Sequence, residues 1–350
     1  MVIAMNKQTE RKQNLRKIVE TLRLQGPVPQ ARLKEQCDLQ ASTVSYLVND
    51  LRQKNLIVEV GKESTQGRVG KPGNMIGLNN EEAAFLGVYV EDDCLYTYLV
   101  GIDGTTLGAD SVAYAPENVE SMIYKTIGGQ LAEHTNIRGI GIAIKAVVYK
   151  DGTIRSGSRN HTTAGDSGWN LLDLPEHLRQ AFPNIPIVVE NDANSAAQLY
   201  RYEHKCDDFV LYVLNDIPFG IGCGLMMDGN LYRGKQGAAG EFFLKNLNSQ
   251  KVQQRFEQKA GTLRNILSTI LPHMLQTAYL LDTERFVLTG SLFADISQEE
   301  VEKAETYLKE IPVPVVFDYG KNQSLNPGKG AALMAINRYI GDLLEEVAKR

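Results

Sequence analysis

A chain of 350 residues that is 43% hydrophobic and 23% charged has room for two or three ordinary hydrophobic cores. No apolar run approaches the roughly 18 residues of a membrane span. The start of the chain has no secretory h-region, and four scattered cysteines (Cys37, Cys94, Cys206, Cys223) without a CxxC pair argue against a disulfide framework or a cysteine zinc site.

The net charge of −5 conceals a division: residues 1–80 carry 13 Lys/Arg against 7 Asp/Glu, whereas the rest carries 24 against 35. A basic head on an acidic body implies that the head alone meets a polyanion, and the cysteine usage fits a cytoplasmic location.

Residues 9–25 read as a first helix. Leu15, Ile18, Val19 and Leu22 form an i, i+3, i+4, i+7 stripe, and Gly26-Pro27 ends it. A second helix is expected over 30–37. After a turn at Asp38-Leu39 comes a third, with Ser42 as its expected N-cap. In that third helix Val44, Leu47, Val48 and Leu51 must face the core. The opposite face then carries Ser42, Tyr46, Asn49 and Gln53, flanked by Thr43 and Ser45. These short or planar hydrogen-bonding side chains are of the types that reach base edges and phosphates in a major groove.

A strand over 56–60 leads into a loop rich in glycine and cations, including Lys62, Arg68 and Lys71, and a strand over 74–78 returns from it. Such a wing suits a cation entering a minor groove. The pattern predicts a winged helix-turn-helix DNA-binding domain over residues 1–80. The expected DNA contacts are Ser42, Thr43, Ser45, Tyr46, Asn49, Arg68 and Lys71. The competing reading is a small helical dimerisation domain with a solvated basic loop.

From residue 84 onward strands and helices alternate, as in an α/β fold. Apolar runs over 85–90 and 95–100 are joined by a short acidic turn. Further strands are expected over 137–144, 185–190, 209–214 and 222–227, and helices over 119–134 and 263–280.

Several runs in the body carry a resemblance: residues 186–194 (Pro-Ile-Val-Val-Glu-Asn-Asp-Ala-Asn), 220–224 (Gly-Ile-Gly-Cys-Gly), 231–241, 287–291 and 328–332. In this order they resemble the ROK family of repressors and sugar kinases. The head's Ser42-Thr43-Val44-Ser45 and its Gly-Arg wing resemble the family's repressor branch, with the architecture of the xylose-repressor group. The resemblance implies an actin-like, hexokinase-type body of two RNase H-like lobes with a sugar in the cleft. Residues 81–197 together with 328–350 would form one lobe and 198–327 the other. It also implies sugar contacts at Asn160, Asn191, Asp192 and Glu241, with Asp192 in the place of the family's catalytic base.

The kinase machinery matches less well. Where the family has an Asp-x-Gly-Gly-Thr phosphate hairpin, this chain has Tyr89-Val90-Glu91-Asp92-Asp93, so a triphosphate would face three successive carboxylates. The second hairpin, Gly220 to Gly224, survives, although glycines also serve tight turns and close strand packing. The Gly-Glu-x-Gly-His motif reads Gly240-Glu241-Phe242-Phe243-Leu244, and the zinc-binding cysteine motif that normally follows is absent. No metal or cofactor is therefore expected.

Lys145, Arg159 and His161 are either cations for an anionic sugar or solvated surface charges; Trp169 is expected in the core. The combined reading is a sugar-responsive repressor of a carbohydrate-use operon. It would act as a homodimer or dimer of dimers on a palindromic double-stranded operator. Two alternatives stay open: a bifunctional ROK sugar kinase, and a ligand-blind dimeric DNA-binding regulator.

Overall fold

The computed structural model describes residues 7–63, 73–91, 93–154, 173–216, 219–241, 263–293, 296–318 and 326–349. At the N-terminal end, α1 (Lys7–Gln25), α2 (Gln30–Gln36) and α3 (Ala41–Gln53) pack with a three-stranded antiparallel sheet. Its strands are β1 (Val28–Pro29), β2 (Ile57–Lys62) and β3 (Asn74–Leu78), with β3 in the centre. The two apolar stripes read from the sequence, Leu15–Ile18–Val19–Leu22 and Val44–Leu47–Val48–Leu51, are buried together.

Ser42 is not the N-cap of α3. Gln40 holds that position, and its carbonyl accepts the first helical bond from the Val44 N–H at 3.0 Å. Asp38, at φ 52°, turns the chain so that the helix starts two residues earlier, leaving Ser42 within the first turn.

The body contains two five-stranded sheets. The first holds β4 (Ala84–Val90), β5 (Cys94–Gly101), β6 (Thr106–Ala113), β7 (Ile137–Ile144) and β8 (Ile187–Asn191), in the order β6-β5-β4-β7-β8. The second holds β9 (Phe209–Asp216), β10 (Phe219–Met227), β11 (Asn230–Leu231), β12 (Phe286–Thr289) and β13 (Val315–Phe317), in the order β11-β10-β9-β12-β13. Each is an antiparallel three-strand meander with two parallel strands added beside its first strand. One topology is thus used twice. The strand β6 has no counterpart in the sequence reading: it is an edge strand, exposed at almost every residue, so it lacks the apolar run that announces its neighbours.

Helices α4 (Val119–Glu133) and α5 (Leu174–Ala181) cover one face of the first sheet, sharing a cluster with Leu86, Val88 and Val90 of β4. Helices α7 (Leu263–Leu281) and α8 (Gln298–Tyr307) share a cluster with the second sheet. Between the sheets lie α6 (Asp192–His204) and α9 (Pro327–Ala348). The latter packs on β4, β5, β7 and α6, and α6 packs on β9 and β10. The approach of α9 requires Gly141 in β7: a Cβ there would lie 1.9 Å from the Ala331 carbonyl oxygen.

The N-terminal unit is seated on α9. Its apolar cluster is continuous with Leu333, Ile336, Ile340, Leu344 and Val347, and α1 packs along the helix. Ion pairs join Lys12 to Glu345 and, at 2.6 Å, Lys54 to Glu346. Arg23, 5% exposed, donates to the Asn337 side-chain carbonyl, and burial lowers its pKa from the usual arginine value.

Candidate functional site

The parallel strands β4, β7 and β8 end on the same edge of the first sheet, the edge at which open α/β sheets place ligands. Their next residues bring polar groups together. Glu91 follows β4 and Lys145 follows β7, and the two form an ion pair at 3.4 Å. Asn191 ends β8, and Asp192 is the first residue of α6.

The strand-to-helix turn is held by its own side chains. Asn191 caps α6, its side-chain oxygen accepting from the Asn194 N–H at 3.1 Å, while its Nδ2 donates to the Ala146 carbonyl at 3.1 Å. Beneath it Glu190, 3% exposed, accepts from the Asn191 N–H at 2.9 Å and from Asn194 Nδ2 at 3.0 Å, and it pairs with Arg233 from beyond β11. A buried carboxylate with three donors is held in place. It fixes the turn that presents Asp192.

Asp192 accepts from the Ala193 N–H at 2.9 Å. Burial pushes its carboxyl up to about 6; the Lys145 ammonium and the Ala193 N–H oppose that shift, and Glu241 adds to it. Glu241 is exposed and lines a cavity of about 330 Å³ with Tyr212, Cys223, His273 and Thr277. It also helps burial to push the Cys223 thiol upward. Asp192 is thus under the influence of both the Lys145 ammonium and the Glu241 carboxylate. Asn160, with Arg159, His161 and Trp169, lies outside the described residues.

Other motifs have structural uses. Tyr89 is buried, its ring stacked on Tyr96 at 6.2 Å. Gly222 and Gly224 lie within β10, where a Cβ would come 2.8 Å from that of Ala193 and 2.6 Å from that of Ala197. These glycines let α6 lie directly on the second sheet.

In the N-terminal unit, Ser42, Ser45, Tyr46 and Asn49 are exposed on α3 and Thr43 is half-buried. Arg68 and Lys71 lie outside the described residues. The sequence reading missed two partnerships because each joins residues on separate elements. One is Lys145 with Glu91. The other is Arg11 of α1, whose guanidinium lies 5.0 Å from the Tyr46 ring centroid and pairs with Asp50 at 2.7 Å. A cation one helix away from a polar tyrosine face was the only available signal.

Two like-ordered sheets, with helices between them and a polar edge facing the space between, define an actin-like α/β body, and its residues 88–242 match the model of the ROK family. The xylose repressor of Bacillus subtilis (strain 168) is 27% identical over 240 residues, 66% of this chain and 59% of that protein. The chain therefore matches about 59% of the length of this curated relative. A crystal structure of a ROK family transcriptional regulator, a homolog of the E. coli MLC protein, superposes with a TM-score of 0.65 at 16% identity, covering 97% of this chain and 100% of that one. A ROK family glucokinase from Streptomyces griseus, solved with glucose and AMPPNP, gives a TM-score of 0.54 at 19% identity, covering 73% of this chain and 99% of that one. Repressors and kinases of the family thus share the fold of the body.

Proposed function

We propose that the chain is a sugar-responsive, DNA-binding repressor of a carbohydrate-use operon. The likeness to a xylose repressor and to a ROK transcriptional regulator supports this reading. The observation that carries it is the seat of the N-terminal unit on α9, the helix that also packs on the cleft-forming sheet. On this reading residues 1–80 are a winged helix-turn-helix, with α3 in the major groove and the 62–73 loop as the wing. The lobes formed by 81–197 with 328–350 and by 198–327 close on a sugar held by Asn160, Asn191, Asp192 and Glu241. Two copies read the halves of a palindromic operator.

Coupling follows a continuous path of packed elements. The turn at Asn191–Asp192 starts α6, α6 packs on α9, and α9 carries α1. A sugar shifts DNA affinity only as far as it binds one lobe arrangement better than the other. A hundredfold difference corresponds to about 2.7 kcal/mol, within reach of a few charge-assisted hydrogen bonds.

Phosphoryl transfer is not part of this reading. A kinase needs backbone open to phosphates at the end of β4. Here the Tyr89 ring and the Glu91–Lys145 pair occupy that edge. The deciding experiment is operator binding by the full chain at fixed salt, with and without a panel of sugars, beside a sugar-dependent ATP turnover assay. The expected result is specific DNA binding that one sugar class changes at least tenfold, with no turnover. Turnover, or specific binding that no sugar alters, would replace this reading.

A further inference from the structure

Arg11 stands apart from the other cations of the N-terminal unit. It projects from α1 onto α3, where Tyr46 and Asp50 lie one helical turn apart on one face. Its guanidinium meets both, lying 5.0 Å from the Tyr46 ring centroid while Nη2 binds the Asp50 carboxylate at 2.7 Å. The Arg11 and Asp50 side chains are each only 16% exposed, whereas Tyr46 is 54% exposed on the face that carries Ser42, Ser45 and Asn49. Arg11 Nε is buried without a hydrogen-bond partner, so the ring and the carboxylate, rather than full satisfaction of its donors, set where this guanidinium sits.

We propose that Arg11 is a positioning residue for sequence readout, fixing the ring of Tyr46 so that α3 presents it to a base edge in one orientation. The proposal rests on the DNA-binding reading given above. A free tyrosine on a helix surface must give up rotamer freedom when it enters a groove; a ring already held against a flat cation has given up part of it. The held ring offers an apolar edge for a thymine methyl and a hydroxyl for a base acceptor or donor. Because Asp50 neutralises Arg11, the residue adds little to the phosphate contacts that set the salt dependence of binding.

The two roles make opposite predictions. A phosphate contact weakens binding to every duplex and lowers the salt slope. A positioning residue weakens only the preferred sequence and leaves the slope unchanged.

The test uses the full chain. Selection from a random-sequence duplex library with the unmodified protein supplies the preferred site, and specificity is the ratio of its affinity to that of a scrambled duplex. R11K keeps a cation for Asp50 but loses the flat guanidinium. The expected result is a loss of about three- to tenfold in that ratio, with scrambled-duplex affinity and its salt slope unchanged. In a Y46A background, itself less specific, R11K should change nothing further. An unchanged ratio, an altered salt slope, or the same loss with and without Tyr46 would each overturn the proposal. If the unmodified protein enriches no sequence, the DNA-binding reading itself fails, and this proposal falls with it.

Discussion

Asp192 begins a helix with its carboxyl withdrawn from water, and an acid so placed is neutral over a wider range than usual. Its ordinary value is 3.8, and burial raises it to about 6. Between those values the native protein keeps a proton that the unfolded chain has lost. The stability contributed by the neutral acid is therefore complete below pH ~4 and is lost as pH rises through ~6. At neutral pH the charged form then costs on the order of 3 kcal/mol. Asp192→Asn removes that cost while keeping a side chain able to accept from the Ala193 N–H. The expected outcome is a variant that melts higher than the parent near pH 7.5, the advantage shrinking toward pH 4; melting curves followed across that range check it, and a constant gap would show that Asp192 does not titrate there. Asn191 and Asp192 were legible in the sequence through the resemblance of the run 186–194 to the ROK family, whereas the part of Glu190 in holding the turn was not. The Lys145–Glu91 pair was not, since the two groups meet only where separate strands end.

At the scale of elements, apolar periodicity carried the assignment wherever a face is buried on one side, as in α1 and α3, or on both, as in β4 and β7. It failed at β6, whose exposed edge position leaves no pattern to read. The glycines of β10 show a different limit. Their spacing fits a phosphate hairpin and a helix-packing strand equally well, and only the fold places Ala193 and Ala197 of α6 against Gly222 and Gly224. A methyl group at Gly224 would meet the Ala197 Cβ at 2.6 Å and the Ala193 carbonyl oxygen at 2.7 Å, so backbone must shift to admit it. Gly224→Ala is expected to destabilise the body by about 1–3 kcal/mol, read as a lower denaturation midpoint with an unchanged denaturant slope. A phosphate-binding glycine in an open turn would tolerate the same change with little loss of stability.

At the scale of the whole molecule, the charge division marked a basic head and an acidic body, but nothing in the sequence told how the two are joined. The fold answers with opposite charges as well as apolar packing: Lys12 and Lys54 meet Glu345 and Glu346 near the end of α9, where the acidic body touches the basic head. Such exposed pairs contribute little individually, and the apolar contact of α1 with α9 does most of the holding. Arg23 differs because it is buried in that contact and reaches Asn337 in the middle of α9. Removing it leaves the Asn337 oxygen without this donor and loosens the seat at one point, while α3 and the cleft stay intact. On the repressor reading proposed above, Arg23→Ala should therefore keep sugar binding, measured by isothermal titration, and operator binding without sugar, measured by fluorescence anisotropy, each within about threefold of the parent. The change in operator affinity on adding sugar should shrink by about tenfold or more, because the coupling free energy passes through the loosened joint. A full sugar response in this variant would mean that the signal reaches the head by a route other than this seat.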